Sequence, residues 1–163
     1  MAKLVLLGGP TGVGKTTALK QLEGRMSSAA LLDADDVWRV SPDLGTPGNR
    51  KVAIQNVVSV LHGYFEAGCD VGLVSWVFAR PELYQPVVDA LRGQVDLIQM
   101  LYLIAEPKVI ETRLQERGEP EKLEYALSRL VLIKSLPFVM LDTTHLAPVQ
   151  VADWICDEIQ RDA

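Results

Sequence analysis

The chain begins its first apolar run with KLVLLG at residues 3–8 and continues directly with GPTGVGKT at residues 9–16. The apolar run has the length and composition of a short buried strand. The glycines of the second segment let the backbone turn so that several N–H groups face one anion, and a helix that begins near Lys15 adds the partial positive charge of its N-terminus. This order of strand, glycine loop and helix predicts a phosphate-binding loop; the alternative is a glycine-rich turn that binds nothing.

In a loop of this kind the lysine reaches the β- and γ-phosphates of a nucleoside triphosphate, and the hydroxyl that follows it ligates Mg²⁺. Lys15 and Thr16 hold those positions, so we expect ATP and Mg²⁺ as cofactors. The predicted nucleotide-binding residues of the loop are Gly9, Pro10, Thr11, Gly12, Val13, Gly14, Lys15, Thr16 and Thr17.

Composition narrows the class of protein. At 163 residues and 48% hydrophobic content, the sequence predicts one domain over residues 1–163. The net charge of −5 argues against a nucleic-acid partner, because no local basic stripe offsets it. The N-terminal apolar run is too short for a signal peptide or a membrane span, so we expect a cytoplasmic protein, either a monomer or a weak homodimer, that contacts no membrane. Cys69 and Cys156 are isolated in sequence, which favours reduced thiols over a metal site.

Short apolar runs alternate with longer segments of helical period along the whole chain. Proline at positions 107 and 148 suits the first turn of a helix. This alternation predicts an α/β protein with the three-layer α/β/α P-loop NTPase fold, in which a five-stranded parallel sheet lies between helices and carries a short lid. The predicted strands are residues 3–8, 29–33, 71–77, 97–104 and 138–141.

Several enzyme classes share the glycine loop, so other segments of the sequence are needed to distinguish among these classes. The sequence has no NKxD stretch, which GTPases use to bind guanine, and it is too short for the added subdomains of most motor ATPases. We therefore expect a phosphotransferase.

A second segment, LLDADDVWR at residues 31–39, places acidic residues at the end of the second predicted strand. If both Asp33 and Asp35 stay extended, they point to opposite sides, so that one can hold Mg²⁺ through water while the other accepts a proton from a substrate hydroxyl. Solvated acids at a strand end are the alternative. Asp36 is expected to cap a short helix that contains Trp38.

The order of strand, phosphate loop and DAD resembles the shikimate kinase family. The resemblance implies that Asp33 assists the metal and that Asp35 is the catalytic base and substrate anchor. Two departures matter: the triple glycine that binds the shikimate ring is absent, which argues against shikimate as the acceptor, and the third strand carries Ser75 and Trp76 where relatives place an acid or a glycine cluster. More of the metal binding then falls to Asp33.

A third segment, RLQERGEPEK, begins at Arg113, and its two arginines share one face of a helix that glycine and proline then interrupt. Arginines on a hinged loop suit a lid over residues 117–122, because a guanidinium stabilises the charge of a phosphoryl group in transfer. In the nucleotide-kinase and shikimate-kinase superfamily the lid also follows the fourth strand. That resemblance implies a catalytic lid role for Arg117 and stacking of Arg113 on adenine; the alternative is pairing of either arginine with Glu116 or Glu121.

The last segment, LDTTHLAP at residues 141–148, resembles the adenine loop of shikimate kinases. Its DTTH followed by an amphipathic helix is even more similar to chloramphenicol phosphotransferase. The resemblance implies that Thr144 and His145 lie near the base, although an exposed His145 without contact is the alternative.

The sequence does not identify the phosphate acceptor. Trp76, Phe78 and Arg80 are candidates to line its pocket, although core packing explains the aromatic residues and surface charge explains the arginine equally well. A nucleoside monophosphate would need a cationic cluster, for which Arg39, with Arg50 and Lys51, is the candidate. Three hypotheses remain: a kinase that phosphorylates a small-molecule hydroxyl, a nucleoside monophosphate kinase, and a nucleotide-binding regulatory module without phosphotransfer.

Overall fold

The computed structural model describes residues 1–38 and 47–161. Within these ranges all strands belong to one sheet, whose order is β2-β3-β1-β4-β5 and whose neighbouring strands are all parallel. The strands are β1 (Lys3–Gly8), β2 (Ala29–Asp33), β3 (Val71–Ser75), β4 (Leu97–Ile104) and β5 (Val139–Asp142). The predicted five-stranded parallel sheet is therefore confirmed.

Six α-helices lie in the described ranges, and four of them begin at a proline. Proline suits this position because its fixed φ fits the helix and its missing N–H has no partner in the first turn. The helices are α1 (Lys15–Leu22), α2 (Pro47–Glu66), α3 (Pro81–Leu91), α4 (Pro107–Glu116), α5 (Leu123–Lys134) and α6 (Pro148–Arg161). In the part of the chain described here, no helix combines the length and the apolar character that crossing a bilayer requires.

Strand β1 shows how the layers are built. Its side chains alternate between two cores: Val5 and Leu7 pack with residues of α1, α4 and α6, whereas Leu4 and Leu6 pack with residues of α2 and α3. All four side chains are completely buried. Burying one such side chain contributes about 1.5–3 kcal/mol, so both faces of the sheet need a cover of helices. This gives the predicted three-layer architecture.

The end of β3 differs from the prediction. The strand stops at Ser75 and not at residue 77, and the chain then turns through Phe78, which has a φ of 43°. The hydroxyl of Tyr102, from β4, donates a 2.9 Å hydrogen bond to the carbonyl of Phe78. The amide of Gly9 donates to the carbonyl of Val77 at 3.3 Å. The segment after β3 thus bends across the carboxyl end of the sheet and supports the start of the glycine loop.

Candidate active site

The glycine loop between β1 and α1 depends on backbone conformations that favour glycine. Gly9 and Gly12 have φ angles of 155° and 84°. A Cβ on Gly9 would lie 2.7 Å from the carbonyl oxygen of Leu103, and a Cβ on Gly12 would lie 3.1 Å from the side chain of Leu114. The loop therefore packs tightly against β4 and α4, which holds its N–H groups in a fixed arrangement.

Lys15 begins α1, and its ammonium group lies back over the loop. Nζ donates hydrogen bonds to the carbonyls of Gly9 at 2.8 Å and Pro10 at 3.0 Å. Burial lowers the pKa of Lys15 to about 8, although the nearby carboxylates of Asp33 and Asp35 oppose the shift. A partly buried cation beside oriented backbone N–H groups is an arrangement that favours a bound anion.

Asp33 connects the glycine loop to the second strand. Its Oδ2 accepts a 2.7 Å hydrogen bond from the hydroxyl of Thr16, and its Oδ1 accepts a 3.2 Å bond from the amide of Asp35. The second bond caps a 3₁₀ helix over Ala34–Val37. The expectation that Asp36 caps this helix is wrong, because Asp36 lies inside the helix and Asp33 provides the cap.

Asp35 does not continue the strand, so the expectation of two extended aspartates on opposite sides does not hold. The two carboxylates nevertheless have different neighbours, since Asp33 binds Thr16 while Asp35 lies beside the Trp76 side chain. Partial burial raises the pKa of Asp35, and the charge of Asp33 raises it further; the charge of Lys15 and the side-chain N–H of Trp76 act in the opposite direction. Asp35 therefore lies within electrostatic reach of the loop lysine and in contact with Trp76.

Trp76 forms part of the wall of a cavity of about 1070 Å³ between α2, α3 and α5. Arg80 also lines this cavity, as predicted from the sequence, and so do Arg50 and Lys51. Phe78 does not: its side chain is completely buried and packs edge-on against Trp76, with ring centroids 5.9 Å apart. The expectation that Phe78 lines the cavity is therefore wrong. Its ring packs in the core against Trp76, which does line the cavity. Arg39 lies outside the described residues.

The segment after α4 carries the predicted lid residues. Gly118 has a φ of 71°, and a short 3₁₀ helix, Pro120–Lys122, follows. Arg117 pairs with Glu119 at 2.8 Å, so its partner is neither Glu116 nor Glu121. Its positive charge also contributes to the lowered pKa of Lys15, which puts the guanidinium within electrostatic reach of the glycine loop.

Lys122 is a residue that sequence reasoning missed. It lies 2.5 Å from Glu119, and this hydrogen bond, together with the charge of Arg117, lowers the pKa of the Glu119 carboxyl. The charge of Lys122 also acts on Asp35. The signal for Lys122 was its position within the predicted lid.

Arg113 connects α4 to the loop after β5. Its guanidinium donates to the carbonyls of Val13 at 3.2 Å and Thr143 at 2.9 Å, and to the Thr143 hydroxyl at 3.2 Å. The Thr143 hydroxyl also donates towards the carbonyl of Val13, at 3.1 Å. Thr143 was not among the predicted site residues; the signal that marks it is its place in DTT, directly after a buried strand.

A second cavity, of about 350 Å³, lies beside the glycine loop and is lined by Thr17, Arg113, Arg117, Thr143 and Leu146 among others. Arg113, predicted to stack on adenine, is thus part of its wall, whereas Thr144 and His145, also predicted to lie near the base, are not. The Thr144 hydroxyl instead donates to Asp142 at 2.5 Å and accepts from the amide of Glu106 at 2.9 Å, and His145 is exposed. The turn after β5 therefore presents Thr143 and Leu146 to the cavity.

A parallel sheet in the order β2-β3-β1-β4-β5, with a glycine loop between its central strand and α1, defines the P-loop α/β class of proteins. Solved structures of kinases share this fold over nearly the whole chain. The tunicamycin resistance protein of Deinococcus radiodurans superposes with a TM-score of 0.72 at 20% sequence identity, over 98% of this chain and 96% of that chain. A gluconokinase from Sinorhizobium meliloti 1021 gives 0.73 at 14% identity, over 99% and 93% of the two chains.

A third similar structure is the shikimate kinase of Acinetobacter baumannii, with a TM-score of 0.63 at 19% identity over 99% of this chain and 94% of that chain. No protein-family model matches the sequence, and no curated protein matches it. At 14–20% identity, these similarities show a shared fold and nothing more. The glycine loop and the strand order define the same fold without them.

Proposed function

We propose that the protein is an ATP-dependent phosphotransferase that moves a γ-phosphoryl group to a hydroxyl of a small molecule. One observation carries the proposal: Asp35 lies within electrostatic reach of Lys15 in the phosphate loop and beside Trp76, which forms part of the wall of the large cavity. A carboxylate between a phosphate site and an acceptor-sized cavity is positioned to align a hydroxyl and take its proton.

The residues present fit ATP and Mg²⁺. The glycine loop offers backbone N–H groups, the partly buried Lys15 offers charge, and the bonded pair of Thr16 and Asp33 offers the hard oxygen ligands that Mg²⁺ prefers. Magnesium bound to the phosphates neutralises part of the charge that develops during transfer. Arg113 and Thr143 shape the second cavity, where we place the base.

In the proposed reaction the acceptor hydroxyl oxygen forms a bond to the γ-phosphorus, and the bond from that phosphorus to the β,γ-bridging oxygen breaks. The hydroxyl proton passes to the carboxylate of Asp35, and ADP leaves with the electron pair of the broken bond. Lys15 stabilises the charge on the phosphoryl oxygens, and Arg117 adds to it when residues 117–122 close as a lid. The predicted single domain, cytoplasmic location and monomeric or weakly dimeric state remain part of this proposal.

Acceptor-dependent ADP release tests the function. Purified protein with Mg-ATP is screened against hydroxylated antibiotics, sugars, hydroxy acids and nucleoside monophosphates, and products are identified by an added phosphoryl mass. Lys15→Ala is the inactive control, and Lys20→Ala, on the same helix but exposed, is the matched control that retains activity. Intact Mg-ATP binding without any phosphorylated product would contradict the proposal and favour a regulatory nucleotide-binding module.

The cations in the cavity wall favour a nucleoside monophosphate kinase as the second candidate, because a phosphate group would need them. The same screen separates the two. A nucleoside monophosphate kinase would yield a nucleoside diphosphate, in which the new bond is to a phosphate oxygen and not to a hydroxyl.

A further inference from the structure

The large cavity is wider than a sugar or a small hydroxy acid requires. Its volume of about 1070 Å³ lies at the upper end of the range for sites that enclose drug-sized ligands. A compact polyol would leave most of that space to water. The cavity size therefore favours an acceptor with a body well beyond its reacting hydroxyl.

The walls along that body are apolar. Ile54 and Val58 line the cavity from α2, and Leu83 and Pro86 line it from α3. Trp38 and Trp76, which both line the cavity, meet edge to face with ring centroids 5.9 Å apart, and Asp35 lies beside Trp76. Apolar surfaces that face each other across a cavity gain free energy by enclosing an apolar ligand.

The charge around the cavity has the opposite sign to that of the chain. Among the described residues, four cationic side chains but only one carboxylate, Glu82, line it, whereas the whole chain has a net charge of −5. In the part of the chain that the structure describes, none of the four pairs with a carboxylate. The four cations are Arg50, Lys51, Arg80 and Arg129.

Two lining residues, Trp38 and Arg129, have N–H groups that can donate hydrogen bonds to a ligand. The buried indole N–H of Trp38 has no hydrogen-bond partner among residues 1–38 and 47–161, and such a donor is costly unless a ligand oxygen meets it. Arg129 lies 4.6 Å over the ring of Tyr125, which orients the guanidinium and leaves its N–H groups available. Both features suit a ligand that brings acceptor atoms into the cavity.

We propose that this cavity binds a hydroxylated amphiphile that carries one anionic group, either a carboxylate or a phosphate ester. The hydroxyl meets Asp35, the apolar body lies between α2 and α3, and the anion pairs with the cations of Arg80 and Arg129. This inference rests on the proposed function for the role of the hydroxyl, but the preference for an anionic amphiphile is a property of the cavity and is measured without turnover.

Tryptophan fluorescence offers that measurement. The chain has three tryptophans, and Trp154→Phe leaves only Trp38 and Trp76, which both line the cavity. In this background the emission is titrated with ω-hydroxydecanoate, with its uncharged methyl ester and with ω-hydroxydecyl phosphate. A biphenyl hydroxy acid and its methyl ester form a second matched pair, followed by calorimetry.

We expect the anionic member of at least one matched pair to bind about tenfold or more tightly than its ester, the effect of one charge-assisted hydrogen bond. The double variant Arg80→Gln/Arg129→Gln should remove that preference while it keeps the affinity for the ester. Arg92→Gln, which neutralises an exposed arginine outside the cavity, should keep the preference. The two aliphatic anions identify whether a carboxylate or a phosphate ester is preferred.

Equal affinity for acid and ester in both series, or no binding of any probe, would overturn the inference. An unchanged preference in the double variant would also overturn it. Failure of the proposed function has a different signature: the anionic probes would bind with the expected selectivity, but neither they nor any other acceptor would gain a phosphoryl group.

Discussion

Thr16 and Asp33 are joined by a 2.7 Å hydrogen bond from hydroxyl to carboxylate, which connects the first turn of α1 to the end of β2. If this pair supports Mg²⁺, Asp33→Asn keeps the shape of the side chain but removes the charge. We expect a loss of about ten- to a hundredfold in activity at limiting Mg²⁺, partly restored by excess Mg²⁺. The measurement is a Mg²⁺ titration of phosphotransfer, with the exposed Asp157→Asn as control. A variant with the wild-type Mg²⁺ dependence would remove Asp33 from the metal site.

Asp35→Asn tests the proposed base. We expect unchanged Mg-ATP affinity and a rate lower by about two to four orders of magnitude, because the amide can still align a hydroxyl but cannot take its proton. Calorimetry with Mg-ATP and the rate with the acceptor found in the screen check both parts. A variant that turns over at the wild-type rate would show that another group accepts the proton.

Lys15 links stability to pH. Its pKa in the folded protein is lowered from 10.5 to about 8, chiefly by burial, so between about pH 8 and 10.5 the unfolded chain binds more protons than the folded one. The free energy of unfolding should therefore rise with pH in this window, and the cost of the buried charge is fully present below pH 8. We expect Lys15→Met to be more stable than wild type at pH 7 and to lack this part of the rise.

Denaturant unfolding of the two proteins across pH 7 to 10.5 makes the comparison. Because all other titrating groups are shared, the difference between the two curves isolates Lys15. A constant difference over the whole range would contradict the lowered pKa.

Arg117→Ala tests the lid. We expect kcat to fall about a hundredfold or more with little change in ATP affinity, because the guanidinium acts mainly on the charge that develops in the transition state. Arg161→Ala, an exposed arginine that also pairs with a glutamate, is the matched control. Equal losses in ATP binding and in turnover would instead indicate a contact with bound nucleotide in the ground state.

Tyr102→Phe tests the turn after β3. The buried tyrosine hydroxyl donates to the carbonyl of Phe78, where the backbone has a positive φ, and its removal leaves that carbonyl without this donor. We expect a loss of about 1–3 kcal/mol in the free energy of unfolding. Tyr64→Phe, at an exposed site, should change it little. Equal stability of the two variants would show that the bond contributes nothing to this turn.

The glycine loop and the sheet were predictable because their signals are contiguous: each buried strand is one apolar run, and the loop residues follow one another. No contiguous signal of this kind marks Thr143, Lys122 or Arg129, because each lies far along the chain from the glycine loop and reaches the site only through the fold. Phe78 was a candidate for the cavity wall together with Trp76 and Arg80, because all three belong to the segment at the end of the third strand. The positive φ at Phe78 leaves no trace in the apolar pattern. Asp36 was assigned the cap that Asp33 provides, because the strand ends one residue before the 3₁₀ helix begins.

Much of the apolar wall of the large cavity belongs to helices α2 and α3, whereas the glycine loop is fixed by the central strands and their hydrogen bonds. Exchanging Leu83 or Arg80 for another side chain breaks no strand pairing and leaves the contacts of Gly9 with β4 intact. If the proposed function holds, acceptor choice can thus diverge, in evolution or in the laboratory, while the nucleotide site is retained, and the chain would be a suitable scaffold for selecting kinases with new substrates.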